Sequence, residues 1–101
     1  WRVALRRAQL GGRILAHMLM QGAHGDRPVM LIGFSIGARL IFHCLLELNR
    51  CGARGLVESA VLLGTPVSAN EARWTQARAA VAGRLVNAFS TNDWVLGVVF
   101  R

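Results

Sequence analysis

Val29-Met30-Leu31-Ile32 is a run of four apolar residues closed by Gly33, and it leads almost at once into Ile36 to about Asn49, a segment of helical length. A continuous apolar run suits a strand covered on both faces, and such strands belong to parallel sheets flanked by helices. The segment that follows sets Leu40, Ile41, Phe42, Cys44, Leu45, Leu46 and Leu48 against only Arg39, His43 and Glu47, so it reads as a helix buried nearly all round. The alternation then repeats. Ala60-Val61-Leu62-Leu63, closed by Gly64-Thr65-Pro66, is a second buried strand, Glu71 to about Ala82 is a helix capped by Ser68 or Asn70, and Leu85 to Phe89 is a third strand. Ahead of them all, residues 2 to 22 form an amphipathic helix with Leu5, Ala8, Leu15, Met18 and Leu19 on one face. Gly11 and Gly12 weaken that helix by about 1 kcal/mol each relative to Ala, although small residues also let a helix lie close to its neighbour. Helix, strand, helix, strand, helix, strand predicts an α/β fold of three parallel strands joined by right-handed helical crossovers.

Composition bears on how complete that fold is. Of the 101 residues 53% are hydrophobic and 17% charged, more apolar side chain than so small a body can hide. The expectation is therefore a single partial domain over 1–101, with surplus apolar surface meeting sequence outside the chain. The absence of an initiator Met and the abrupt Phe100-Arg101 end fit that expectation. Isolated, such a segment should be inactive. Twelve basic residues, all Arg, face five acidic ones, a net charge of +7. The arginines are scattered, with no dense run and no interleaved aromatics, which argues against a nucleic-acid partner and leaves a weak attraction to anionic membrane surfaces. No apolar run approaches the 18 residues of a membrane span. Cys44 and Cys51, seven apart and without a zinc-type His spacing, read as reduced core thiols, which fits a cytosol-facing compartment.

The chemistry lies between the first strand and the buried helix. Gly33-Phe34-Ser35-Ile36-Gly37 is a G-x-S-x-G pentapeptide in the strand-to-helix setting that a nucleophile elbow needs. There Ser35 would sit on a tight, strained turn at the carboxyl end of the sheet, and Gly33 and Gly37 would lack side chains because a β-carbon would collide with the neighbouring strand or helix. The Ile36 amide, at the helix N-terminus, is the natural oxyanion donor. The plainer alternative makes Ser35 a helix cap between small residues. Asp93, after the third strand, stands where an acid would orient a catalytic His, with Glu71 a distant second; the alternative for Asp93 is a turn residue capping a helix begun at Trp94. No His follows Asp93. His43 is eight residues into the buried helix, about 12 Å of rise from Ser35, and His17 and His24 lie elsewhere, so all three read as structural. Arg39, one turn past Ser35, reads as an ion-pair or surface residue, and Trp74 and Trp94 as packing residues.

At these residues the chain resembles the α/β-hydrolase superfamily. The segments Arg27 to Arg39, Val61 to Val67, Gly83 to Asn87 and Ser90 to Leu96 resemble, more narrowly, the family of transmembrane and coiled-coil domain-containing protein 4, and the likeness runs from about Arg13 to Arg101. The resemblance implies the nucleophile-elbow half of an α/β-hydrolase domain, attached elsewhere to membrane-spanning segments. It implies a serine hydrolase acting by acyl transfer on an ester or lipid-like substrate, with Ser35 and Asp93 catalytic, no metal or organic cofactor, and the His supplied by sequence outside the chain. The competing expectation is a hydrolase-fold binding module without turnover, because fold does not fix function.

Overall fold

The structure, a computed structural model, describes residues 2–22, 25, 27–64 and 70–88. Its elements follow the order α1 (Arg2–Met20), β1 (Val29–Phe34), α2 (Ile36–Arg50), β2 (Val57–Leu63), α3 (Glu71–Ala80) and β3 (Leu85–Ala88). The strands form one sheet in the order β1-β2-β3, both pairs parallel, as an α/β arrangement demands. Leu31 pairs with Ala60 and Ala60 with Leu85, and on the next rung Ile32, Val61 and Val86 lie in line. A shift in register between Val29 and Met30 lets β2 begin at Val57, three residues before the apolar run that marks it in the sequence.

All three helices contribute to a core on one side of the sheet. Phe42, Leu45 and Leu48 of α2 are fully buried beneath Ala60 and Leu62 of β2, with Leu31 of β1 and Leu85 of β3 packed against them. Each such side chain contributes roughly 1.5–3 kcal/mol by leaving water. Asn70 caps α3, its Oδ1 accepting from the Ala72 and Arg73 amides, and Trp74 one turn on stacks at 6.2 Å on Phe42. Ser68 lies outside the described residues.

Two expectations about burial are corrected. The β1 strand is covered on one face only, for Met30 and Ile32 are each 60% exposed and Phe34 is exposed beside them, because every described helix lies on the opposite side. The buried face of α1 is Ala8, Gly12, Ala16 and Leu19, while Met18 is exposed. Small residues at a four-residue spacing let the α1 backbone press onto α2. A β-carbon at Gly12 would collide with the Leu40 carbonyl oxygen and lie 2.8 Å from the Cys44 nitrogen, both parts of a helix that cannot give way. At Gly11 it would meet the mobile end of Leu40 at 2.9 Å. Gly12→Ala should therefore lower stability by about 2 kcal/mol or more, while Gly11→Ala stays within about 1 kcal/mol of the parent because gained helix propensity offsets a small side-chain shift. Chemical denaturation of the two variants checks this, and equal losses would contradict it.

Candidate active site

The chain passes from β1 to α2 through one residue. Ser35 has φ 53° and ψ −115°, and it is the only non-glycine with positive φ among the described residues. A non-glycine residue held in so sparsely populated a region costs of order 1–3 kcal/mol, which the packed strand and helix on either side must offset. Its amide donates to the Leu63 carbonyl at 2.9 Å, so the turn is tied to the end of β2. Its carbonyl accepts from the Ala38 amide at 3.0 Å and, more weakly, from Arg39 at 3.3 Å, starting α2. The side chain does not cap the helix and is exposed at the carboxyl edge of the sheet. Among the described residues no backbone carbonyl accepts from the Ile36 or Gly37 amide, which leaves two donors at the start of α2, next to Ser35 in the chain.

The crowding expected at both flanking glycines is found at one. A β-carbon at Gly33 would lie 2.6 Å from Ile41 Cδ1 and 2.7 Å from the Gly37 carbonyl carbon and oxygen, whereas one at Gly37 would meet nothing described within 4 Å. Gly33 itself is the surface on which the first turn of α2 rests. A third glycine was hidden from sequence reasoning. Gly64, at φ 96°, donates to the Ala88 carbonyl at 3.1 Å, and a β-carbon there would sit 3.3 Å from the Ser35 nitrogen. Its only signal was its place in the turn Gly64-Thr65-Pro66 closing the second strand.

Asp93 lies outside the described residues, as do His24 and Trp94. Glu71 is exposed in the first turn of α3, where it complements the helix dipole. His43 is half-buried and edge-on to Phe42 at 6.1 Å, and its pKa is lowered by burial and then by the nearby charges of Arg73, Arg39 and Arg13. It is a neutral packing imidazole two turns along α2 from Ser35. Arg39 is half-buried one turn beyond Ser35. Cys44 is a buried thiol, its pKa pushed up to about 12 by desolvation, whereas Cys51 is free and exposed just past the end of α2, which corrects the expectation of two core thiols.

His17, Glu47 and Cys51 are the described group that could hold a metal ion, with donor atoms within 4.8 Å of one another. Their geometry is that of an ion-pair knot. Arg50 grips both oxygens of the buried Glu47 carboxylate, Nε to Oε1 at 2.8 Å and Nη2 to Oε2 at 2.7 Å, and His17 reaches Oε2 from α1 at 3.0 Å. A cation would have to displace the guanidinium. The Arg50 hydrogen bonds outweigh the opposing cost of burial and hold the Glu47 carboxyl down at about 2. Because the folded value lies below the ordinary 4.5, the contribution is complete above about pH 5 and is lost as pH falls toward 2. Glu47→Gln should therefore flatten the fall in urea midpoint between pH 5 and 2.5. Exposure of Arg50 keeps the effect small. An unaltered acid limb in the variant would assign that limb to other carboxylates.

No described helix is long and apolar enough to cross a membrane. The whole chain is 56% identical over 102 residues to transmembrane and coiled-coil domain-containing protein STS1 of Oryza sativa subsp. japonica. It is 48% identical over 101 residues to probable lipase MIL1 of Saccharomyces cerevisiae, and 43% identical over 102 to the uncharacterized membrane protein F35D11.3 of Caenorhabditis elegans. It spans 15%, 9% and 16% of those proteins, respectively, less than a fifth of each. No solved structure matches it. The family model described as "Protein of unknown function (DUF726)" matches residues 1–101, end to end, and the chain belongs to that family.

Proposed function

We propose that the protein carrying this chain is a serine hydrolase of α/β-hydrolase type, transferring the acyl group of an ester, lipid esters included, to Ser35 and then to water. The observation that carries the reading is the backbone at Ser35: a positive φ on a non-glycine, in a one-residue turn from strand to helix, with a hydroxyl that caps nothing. Attack by that oxygen on an ester carbonyl would place the developing oxyanion beside the Ile36 amide, a fixed donor at the start of α2. Asp93 would orient a His supplied by sequence outside the chain, and that His would take the Ser35 proton and return it to the leaving alcohol. The name of the yeast relative, a probable lipase 48% identical to this chain, supports the same direction. Relatives named as membrane proteins support attachment to a membrane through segments outside the chain, and the unpaired thiols of Cys44 and Cys51 support a cytosol-facing side. The test is exposure of the full-length protein to a fluorophosphonate probe. Covalent labelling that maps to Ser35 is expected. A folded protein that stays unlabelled beside a reactive control hydrolase would leave the scaffold as a binding module.

A further inference from the structure

The helices α1 and α2 lie side by side and point the same way, for Gly12 packs on Leu40 and Cys44 while His17, further along α1, reaches Glu47, further along α2. The N-terminal half of α1 therefore lies at the end of the sheet where Ser35 stands. Between the two helices there opens a groove of about 480 Å³, lined by Val3, Ala4, Arg7, Ala8, Ile36 and Leu40. Ile36 directly follows Ser35, so the lining of the groove reaches the residue next to the candidate nucleophile. A second cavity, of about 370 Å³, shares Val3 and Arg7 with the first and adds Leu10 together with Arg2 and Arg6. The second is lined by α1 alone, and the two adjoin as a trough whose lining joins apolar side chains of both helices to three arginines of α1.

The charge is one-sided. All four ionisable side chains other than His17 on α1 are arginines, and its first turn holds no acid. Arg2, Arg6 and Arg7 are exposed and make no hydrogen bond or ion pair among the described residues. Positive charge in the opening turns of a helix opposes the macrodipole, so these residues are placed against local stability. A neutral ester would draw nothing from them. An amphiphile with an acyl chain and an anionic group would use both parts of the trough, the chain on the apolar floor and the anion in the guanidinium forks, which match the geometry of a phosphate or carboxylate.

We infer that the substrate is an anionic lipid ester, its acyl chain in the trough between α1 and α2 and its negative group held by Arg6 and Arg7 with Arg2 beside them. This rests on Ser35 being the nucleophile.

The experiment uses the full-length protein in mixed micelles containing either phosphatidylglycerol or diacylglycerol with identical acyl chains, and it measures fatty-acid release. Phosphatidylglycerol should be hydrolysed about tenfold faster or more, the scale of one charge-assisted contact. The double variant Arg6→Gln with Arg7→Gln, whose far-ultraviolet spectrum checks the fold, should bring the phosphatidylglycerol rate down to the diacylglycerol rate. In a third arm, ether-linked phosphatidylglycerol, which carries the charge without a cleavable ester, is blended with diacylglycerol. If it speeds diacylglycerol hydrolysis to the phosphatidylglycerol rate, the charge acts by drawing the protein to the surface and the proposal is overturned. Equal rates on the two lipids, with Ser35 still labelled by fluorophosphonate, overturn the substrate class alone. A failure of the label removes the hydrolase reading, and this proposal with it.

Discussion

Ser35→Ala is expected to abolish fluorophosphonate labelling of the full-length protein and to lower ester turnover by about four orders of magnitude or more, the scale on which a nucleophile counts. The domain should stay folded. The Ser35 hydroxyl caps nothing and is exposed, so its removal opens no cavity and orphans no partner. The structural bonds of the turn run through the backbone, from the Ser35 amide to Leu63 and from the Ala38 amide to the Ser35 carbonyl, and Ala keeps both. Strain at positive φ is also little changed, because Ala and Ser each carry one β-carbon. The thermal midpoint of the variant should accordingly lie within about 3 °C of the parent. Labelling that persists in the variant would put the reactive group elsewhere. A variant that unfolds would show instead that the hydroxyl holds the turn together, as a cap would.

What the sequence made legible depended on how local the cause was. Strand-to-helix alternation was readable because Val29 to Ile32 and Ala60 to Leu63 are unbroken apolar runs punctuated by glycine, and a parallel sheet follows from their helical connections. The start of β2 was not, since Ser59 finds its place opposite Met30 only through a register shift that leaves Glu58 without a partner on β1. The buried face of α1 was legible in Ala8, Leu15 and Leu19, but not in Gly12 and Ala16. Hydrophobicity favours Met18, but the contact with α2 is made by Ala8, Gly12 and Ala16, whose merit is smallness. The pairing of His17 with Glu47 spans 30 residues and has no local trace, whereas the Glu47 and Arg50 part of the knot, three apart on one helix, could have been found. At the site, Ser35 was legible from a motif whose chemistry dictates its spacing. The contribution of Gly64 was not, because its proximity to Ser35 arises only when two strands end side by side.

The pair Gly33 and Gly37 separates the steric demand of the turn from the appearance of the motif. Gly33→Val is expected to cost about 3 kcal/mol or more, or to prevent recovery of folded protein, and to remove labelling at Ser35. Two of the three atoms that its β-carbon would strike, at 2.7 Å, are the carbonyl carbon and oxygen of Gly37, which belong to the α2 backbone. Relief requires moving the first turn of α2 away from β1. Ser35 lies between the two elements and moves with them, so the proposed hydroxyl and Ile36 donor lose their alignment even if the protein survives. Gly37→Ala meets no described atom within 4 Å and replaces a glycine inside α2, where Ala is favoured by about 1 kcal/mol. It should be neutral to stabilising and should label normally. Urea denaturation followed by probe labelling of both full-length variants reads the two effects separately. A Gly37→Ala variant that fell as far as Gly33→Val would mean that the turn is pressed from a side the described residues leave open, and that sequence outside the described residues completes the site there.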